Sequence, residues 1–281
     1  MGDLNLIKID GKPTAELGKT LIDKLDKCLG WVASPKGTTP DAIDYYVEEI
    51  KNDKTLPPLQ KAAMISNARK IIHEYSNQND ILSIAMKQFD GTEKPDQIEE
   101  DWISHFFDGA KHVSNEDIQL IWGKILSNEC KAPGNTPKKL IHILSLMSTK
   151  SAKCFGALCK FVMKYGDLLV PVVIRGHDFF KESGISYYGL LDLADLGLIL
   201  YSDSGHTMNM SIVKLTYFDK QIEITTSKQC PIGNAIFTEA GECLFQSMMQ
   251  ERAQDEYLEV CTAFWKKNNC EVKITSKNSV Q

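Results

Sequence analysis

Apolar residues recur at helical spacing through the first 166 positions, then give way to shorter, strand-like runs. Leu17, Leu21, Ile22, Leu25, Cys28 and Leu29 fall on one face of a first helix, which Gly30 closes. A short helix over 41–50 lies between two stretches, 33–40 and 51–58, whose Pro, Gly, Thr and Lys content reads as loop. A long helix follows from about Leu59 to Phe89. Its positions Ile65, Ala68, Ile72, Tyr75, Asn79, Leu82, Met86 and Phe89 fill a heptad seam, in which a lone Asn sets register and strand number. Ile71, Ile81 and Ile84 widen the apolar face, and the flanking positions carry few charges. Two readings stay open: packing within its own bundle, and self-association through Ile65, Ile72, Asn79, Leu82 and Met86.

An acidic connector over 91–100 leads into the most distinctive stretch, 101–134. Ser114 with Asp117 resembles a capping box, and Pro133-Gly134 is a helix stop. Trp102, Phe106, Ile118, Trp122 and Ile125, with Pro133 and Gly134, read as a structural hub. Thr136-Pro137 starts a further helix carrying Leu140, Ile141, Ile143, Leu144 and Met147. Ser148-Thr149 starts another, with Phe155, Leu158, Cys159, Val162 and Met163 inward and Gly166 closing it.

Beyond Gly166 the spacing predicts a strand over 168–174 and a helix over 186–196. Short strands follow at 198–201, 212–217 and 221–226, then Ile236-Phe-Thr238 and a helix to Met249. Helix, strand pair and closing helix resemble a winged helix-turn-helix, and the residues after Lys266 read as frayed. The expected fold is mostly α, a helical bundle followed by a winged-helix-like α+β unit. Its divisions are an N-terminal helical region over 1–90, a bundle core over 91–166, the winged-helix-like part over 167–250, and a C-terminal helix and tail over 251–281.

Composition removes several function classes. With 43% hydrophobic and 25% charged residues, the 281-residue chain is ordinary for a folded, soluble protein. Its net charge of −5 offers no general attraction to nucleic acid or an anionic membrane. From Ile185 to Phe245 three lysines stand against seven acids (3 − 7 = −4), so a duplex should be repelled there. The apolar run 168–174 is too short to span a bilayer, and Met1-Gly2 is followed by Leu6 where myristoylation expects Ser or Thr. The cysteines, at 28, 130, 154, 159, 230, 243, 261 and 270, form no close ligand pair for zinc. Without a signal peptide they read as free thiols of a cytoplasmic protein.

Candidate chemistry is sparse. Gly18-Lys19-Thr20 lacks the upstream glycine of a phosphate loop, since Pro13 occupies that place. Asp101, His105 and Asp108 share a helical face at i, i+4 and i+7 and are weak candidates for a metal. No motif assigns a catalytic residue or a cofactor.

A set of segments resembles an uncharacterised bacterial family, domain of unknown function 2806. These are Lys12-Pro-Thr-Ala-Glu-Leu17, Asn79-Asp-Ile-Leu-Ser-Ile-Ala85, Asp101-Trp-Ile-Ser-His-Phe-Phe107, Val113-Ser-Asn-Glu-Asp-Ile-Gln-Leu-Ile-Trp122, Gly123-Lys-Ile-Leu-Ser-Asn-Glu129 and Phe237-Thr-Glu-Ala-Gly241. Trp122, Ile125-Leu126 and Leu144-Ser-Leu-Met-Ser148 are more weakly similar to abortive-infection proteins of the alpha type. These resemblances imply a role in bacterial phage defence. With the acidic winged-helix-like part and the missing active-site motifs they lead to the expectation of a non-enzymatic protein-binding subunit or regulator, acting with a protein partner or as a homo-oligomer. A nucleic-acid-binding winged-helix regulator and an enzyme with a dispersed site remain as alternatives.

Overall fold

The computed structural model describes residues 12–30, 40–248 and 254–276. Met1-Gly2, Leu6 and the loop over 33–39 lie outside the described residues. The chain is mostly helical and divides into two compact units, Met1–Ser145 and Leu146–Gln281.

The first unit is built from α1 (Lys12–Leu29), α2 (Pro40–Asn52), α3 (Pro58–Met86), α4 (Glu100–Ala110), α5 (Glu116–Lys131) and α6 (Lys138–Leu146), whose last residue crosses the division. Leu21 and Leu25 of α1 are fully buried, and Gly30 ends the helix at φ +62°, a left-handed position that glycine takes without steric cost. Gly18, Lys19 and Thr20 lie inside α1, where the Thr20 hydroxyl donates to the Glu16 carbonyl at 3.0 Å.

Pro57 and Pro58 open α3, whose two halves differ. Ala68 alone is buried before position 77, whereas Asn77, Ile81, Leu82, Ala85 and Met86 all are. The second half crosses α5 closely: a Cβ on Gly123 would lie 2.7 Å from Ile84 Cβ and 3.2 Å from the Ile81 carbonyl oxygen. The side-chain amides of Asn77 and Gln78 donate to the carbonyls of Lys111 and Phe107 at 2.8 and 2.9 Å. They thereby tie α3 to the end of α4, where the Phe107 carbonyl also accepts from the Lys111 N–H at 3.2 Å.

The cap of α5 lies one residue later than the Ser114–Asp117 reading. Asn115 has the extended cap backbone, and its side chain accepts from the Ile118 N–H at 3.2 Å. Asn caps as well as Ser, and Glu116 and Asp117 then occupy the first turn, where the helix dipole favours acids.

The second unit contains α7 (Thr149–Leu158), β1 (Val162–Tyr165), β2 (Leu168–Pro171), α8 (Asp178–Glu182), α9 (Tyr187–Asp195), β3 (Ile199–Tyr201), β4 (Thr207–Met208), β5 (Ile212–Tyr217), β6 (Lys220–Thr225), β7 (Cys230–Pro231), β8 (Ala235–Phe237), α10 (Glu239–Ser247), α11 (Asp255–Lys267) and β9 (Glu271–Ser276). Ser148, Ser186 and Thr238 cap α7, α9 and α10 by accepting from the N–H three residues on.

Two expectations need correction here. Val162 and Met163 belong to strand β1 and not to the preceding helix: a 3-10 turn over Cys159–Phe161 ends the helix, and Gly166 at φ +58° makes a tight hairpin to β2. The tail after Lys266 is not frayed throughout, because β9 pairs with β6 along six residues. Val272 and Ile274 lie opposite Ile224 and Ile222 there, a cross-strand apolar pairing that holds the edge strand.

The larger sheet is antiparallel, in the order β2-β1-β5-β6-β9; β3 pairs with β8, and β4 with β7. Phe161, Phe180, Tyr217 and Tyr257 form an aromatic core, with Phe161 and Tyr257 ring centroids 5.0 Å apart. The buried Tyr257 hydroxyl reaches the carbonyls of Phe161 and Val172 at 2.8 and 3.1 Å and anchors α11 to the unit. Among the described residues no helix is long and apolar enough to cross a membrane.

Candidate functional site

The expected hub residues are mostly buried in the first unit. Trp102, Phe106, Ile118, Trp122 and Ile125 are 8% exposed or less. Trp102 stacks on Phe106 at 5.0 Å, and Phe106 meets Trp122 edge-on, also at 5.0 Å. Gly109 makes room for Trp122, since a Cβ there would lie 2.6 Å from the indole. Pro133 is half-buried and Gly134 exposed at φ +88°, so this pair forms the turn beyond α5.

What holds that turn was not visible in the sequence. The Glu129 side chain is 1% exposed, and its two carboxylate oxygens accept from the Gly134 and Thr136 N–H groups at 2.6 and 2.9 Å. Trp102 Nε1 donates to the Thr136 carbonyl at 2.9 Å from the other side. Glu93, also buried, accepts from the Asp90 and Gly91 N–H groups in the same manner. Both carboxylates replace backbone partners for turns that form no ladder.

The three polar candidates on α4 separate. Asp101 is exposed and lies 3.9 Å from Lys138 Nζ. His105 and Asp108 border one shallow cleft with Gln78 and Lys111, and His105 Nδ1 is 2.8 Å from the Asp101 carbonyl oxygen. Lys111 donates to the Asp108 carboxylate, which lowers its pKa, with smaller help from His112 and His105. Among the described residues no group of three His, Cys, Asp or Glu side chains is placed to hold a metal.

Of the seam residues on α3, Leu82 and Met86 are buried in their own unit, while Ile65, Ile72 and Asn79 are half-buried. Beside them Met64 and Ile71 are 36% and 54% exposed, seven residues apart. Together these make an apolar stripe on the first half of the helix: Met64, Ile65, Ile71 and Ile72.

In the second unit the fold assembles a constellation that local patterns did not mark. The Arg175 guanidinium lies 4.9 Å over the Tyr187 ring and 2.8 Å from Asp203 Oδ1. The Tyr201 hydroxyl donates to the same oxygen at 2.9 Å, and burial, then this hydrogen bond, push its pKa up to about 12. Tyr188 beside Tyr187 is 73% exposed. The Asn234 side chain fixes the segment by accepting from Arg175 N–H at 2.8 Å and donating to the Ser202 carbonyl at 2.8 Å. Next to this network lies a cavity of about 380 Å³ between α8 and α9. The tandem Tyr187-Tyr188 just after a helix cap was the one local signal; Arg175 and Asp203 meet only through tertiary structure.

The eight cysteines form no disulfide. Burial pushes the thiol of Cys154 up to about 11 and that of Cys230 up to about 12, and raises those of Cys130, Cys159 and Cys261 further. None of these five is a thiolate nucleophile near neutral pH.

No curated protein and no solved structure matches the chain. A family described as protein of unknown function (DUF2806) matches residues 67–262, a span that takes in the second half of α3, the hub, and the Arg175–Tyr187–Asp203 network. The chain therefore belongs to the DUF2806 family.

Proposed function

We propose that the protein is a non-enzymatic binding subunit that self-associates through the first half of α3. The observation that carries this reading is the apolar stripe of Met64, Ile65, Ile71 and Ile72, half-buried to exposed on a helix whose other half buries Asn77, Ile81, Leu82, Ala85 and Met86. A second copy fits this stripe because the repeat is seven residues, the spacing at which paired helices keep one seam in contact. Asn79, half-buried at the end of the stripe, supplies a register-setting polar position. The acidic balance of the stretch 185–245 and the helix–strand pair–helix order of α9, β3, β8 and α10 support a winged-helix-like part that serves protein contact and not duplex binding.

Light scattering after size exclusion tests the association. Wild-type protein at micromolar concentration should run as a dimer or larger, and Ile71→Glu as a monomer with unchanged circular dichroism. A wild-type monomer sinks the self-association reading. The cellular setting we propose is phage defence, a reading that rests only on the weak sequence resemblance at Trp122, Ile125-Leu126 and Leu144-Ser-Leu-Met-Ser148. Plaquing efficiency on cells carrying the gene should drop, and Ile71→Glu should restore it. Retardation of DNA in a gel at low salt would favour the nucleic-acid alternative instead.

A further inference from the structure

The geometry points to a second site, in the cavity between α8 and α9: a pocket for a small aromatic or acyl carboxylate, an apolar body with one anionic end. At about 380 Å³ the cavity lies within the range of small-molecule sites, roughly 300–1,000 Å³. Its floor is Phe180, Ile185 and Leu190, each 4% exposed or less, so the ligand's body must be apolar. Its lining carries Arg175, Lys181 and one acid, Asp178, with Asp203 paired to Arg175.

Arg175 is preorganised. Asp203 takes one side of the guanidinium and the Tyr187 ring takes a face, while its remaining N–H donors are left for an anion in fork geometry. Lys181 is exposed and makes no ion pair among the described residues. The N–H groups of Tyr187 and Tyr188, both on the lining, head α9 and have no intrahelical acceptor. Cationic groups and open donors thus gather at the mouth over an apolar floor. A cation would meet the charges of Arg175 and Lys181 at that mouth, and a wholly apolar guest would gain nothing from them.

Isothermal titration calorimetry with 1-naphthoate tests this, with 1-naphthylmethylammonium as the charge-reversed control. Naphthoate should bind wild-type protein at one site with a dissociation constant below about 1 mM, and the ammonium analogue at least about tenfold more weakly. Arg175→Gln with Lys181→Glu, both at exposed positions, should weaken naphthoate about tenfold or more while the thermal midpoint stays in place. The proposal is overturned if naphthoate gives no saturable heat, if both naphthyl compounds bind alike, or if the double variant binds naphthoate as the wild type does. The site lies in a different unit from the α3 stripe, so Ile71→Glu should leave naphthoate binding unchanged.

Discussion

The stretch 101–136 in the first unit and the stretch 173–203 in the second use similar residues to opposite ends. The first gathers Trp102, Phe106 and Trp122, and every ring is 3% exposed or less. The second gathers Tyr187, Tyr188 and Tyr201, and leaves Tyr188 73% exposed beside a pocket. Indole and phenyl groups repay burial by area, whereas a phenol at a rim keeps its hydroxyl in water and offers a face to a partner. The conspicuous aromatic motif is therefore packing, and the inconspicuous one is surface. Carboxylates divide in the same way. Glu129 is buried as a backbone clamp, while Asp203 stays half-exposed and positions an arginine.

Truncation of one ring on each side should separate the two regions most sharply. Trp122→Ala removes a fully buried side chain that fills the space at Gly109 and contacts Phe106, and should destabilise by about 3–5 kcal/mol in urea unfolding. Tyr188→Ala should change stability by no more than about 0.5 kcal/mol. Comparable losses from both would erase the distinction between packed hub and open rim. A smaller effect is expected at the clamp. Glu129→Gln keeps the shape but removes the charge and sets an NH2 donor against one of the Gly134 and Thr136 N–H groups, so one of the two hydrogen bonds is lost, at about 1.5–3 kcal/mol. Amide exchange at those two residues should accelerate more than exchange in the middle of α5. Uniform acceleration would mean that the carboxylate serves the whole helix and not the turn.

These contrasts show which features are legible in a sequence. Ser148, Ser186, Thr238 and Gly30 bound their helices as local chemistry requires, because a cap depends on residues three positions away. The strands over 212–217 and 221–226 were readable from β-branched runs and recur as β5 and β6 within a residue. Val162 and Met163 misled because their apolar spacing continues the helix, while the hairpin pairing of β1 with β2 decides otherwise. β9 was hidden because Val272 and Ile274 make only a short alternation, and the strand is defined by its pairing with β6. The candidate sites divide likewise. The α4 face was legible as a helical pattern, yet its acids are engaged by Lys138 and Lys111. Arg175, Tyr187 and Asp203 carry no shared periodicity, and β3 with its following loop, not sequence spacing, brings them together.

The smallest effects concern pH, and the two regions should respond at opposite ends of the scale. Hydrogen bonds from Lys131, then from Thr92, lower the pKa of Asp90 from 3.8 to about 2. A depressed folded pKa means that its stabilisation is present above 3.8 and disappears as pH falls toward 2. Asp90→Asn should thus be less stable than wild type near neutrality, and the gap should close on acidification. Tyr201 behaves in the reverse sense. Its pKa, raised from 10.0 to about 12 by burial and by Asp203, makes its contribution complete below 10 and lost as pH rises toward 12. Tyr201→Phe should therefore lie below the wild type by a constant gap under pH 10, and the gap should close as pH rises toward 12. Denaturant midpoints measured across the pH range check both at once. An acid gap that does not narrow would mean that Asp90 is held by the turn's shape and not by the charge of Lys131. An alkaline limb unchanged by Tyr201→Phe would detach the phenol from the Asp203–Arg175 pair and leave that ion pair to stand without it.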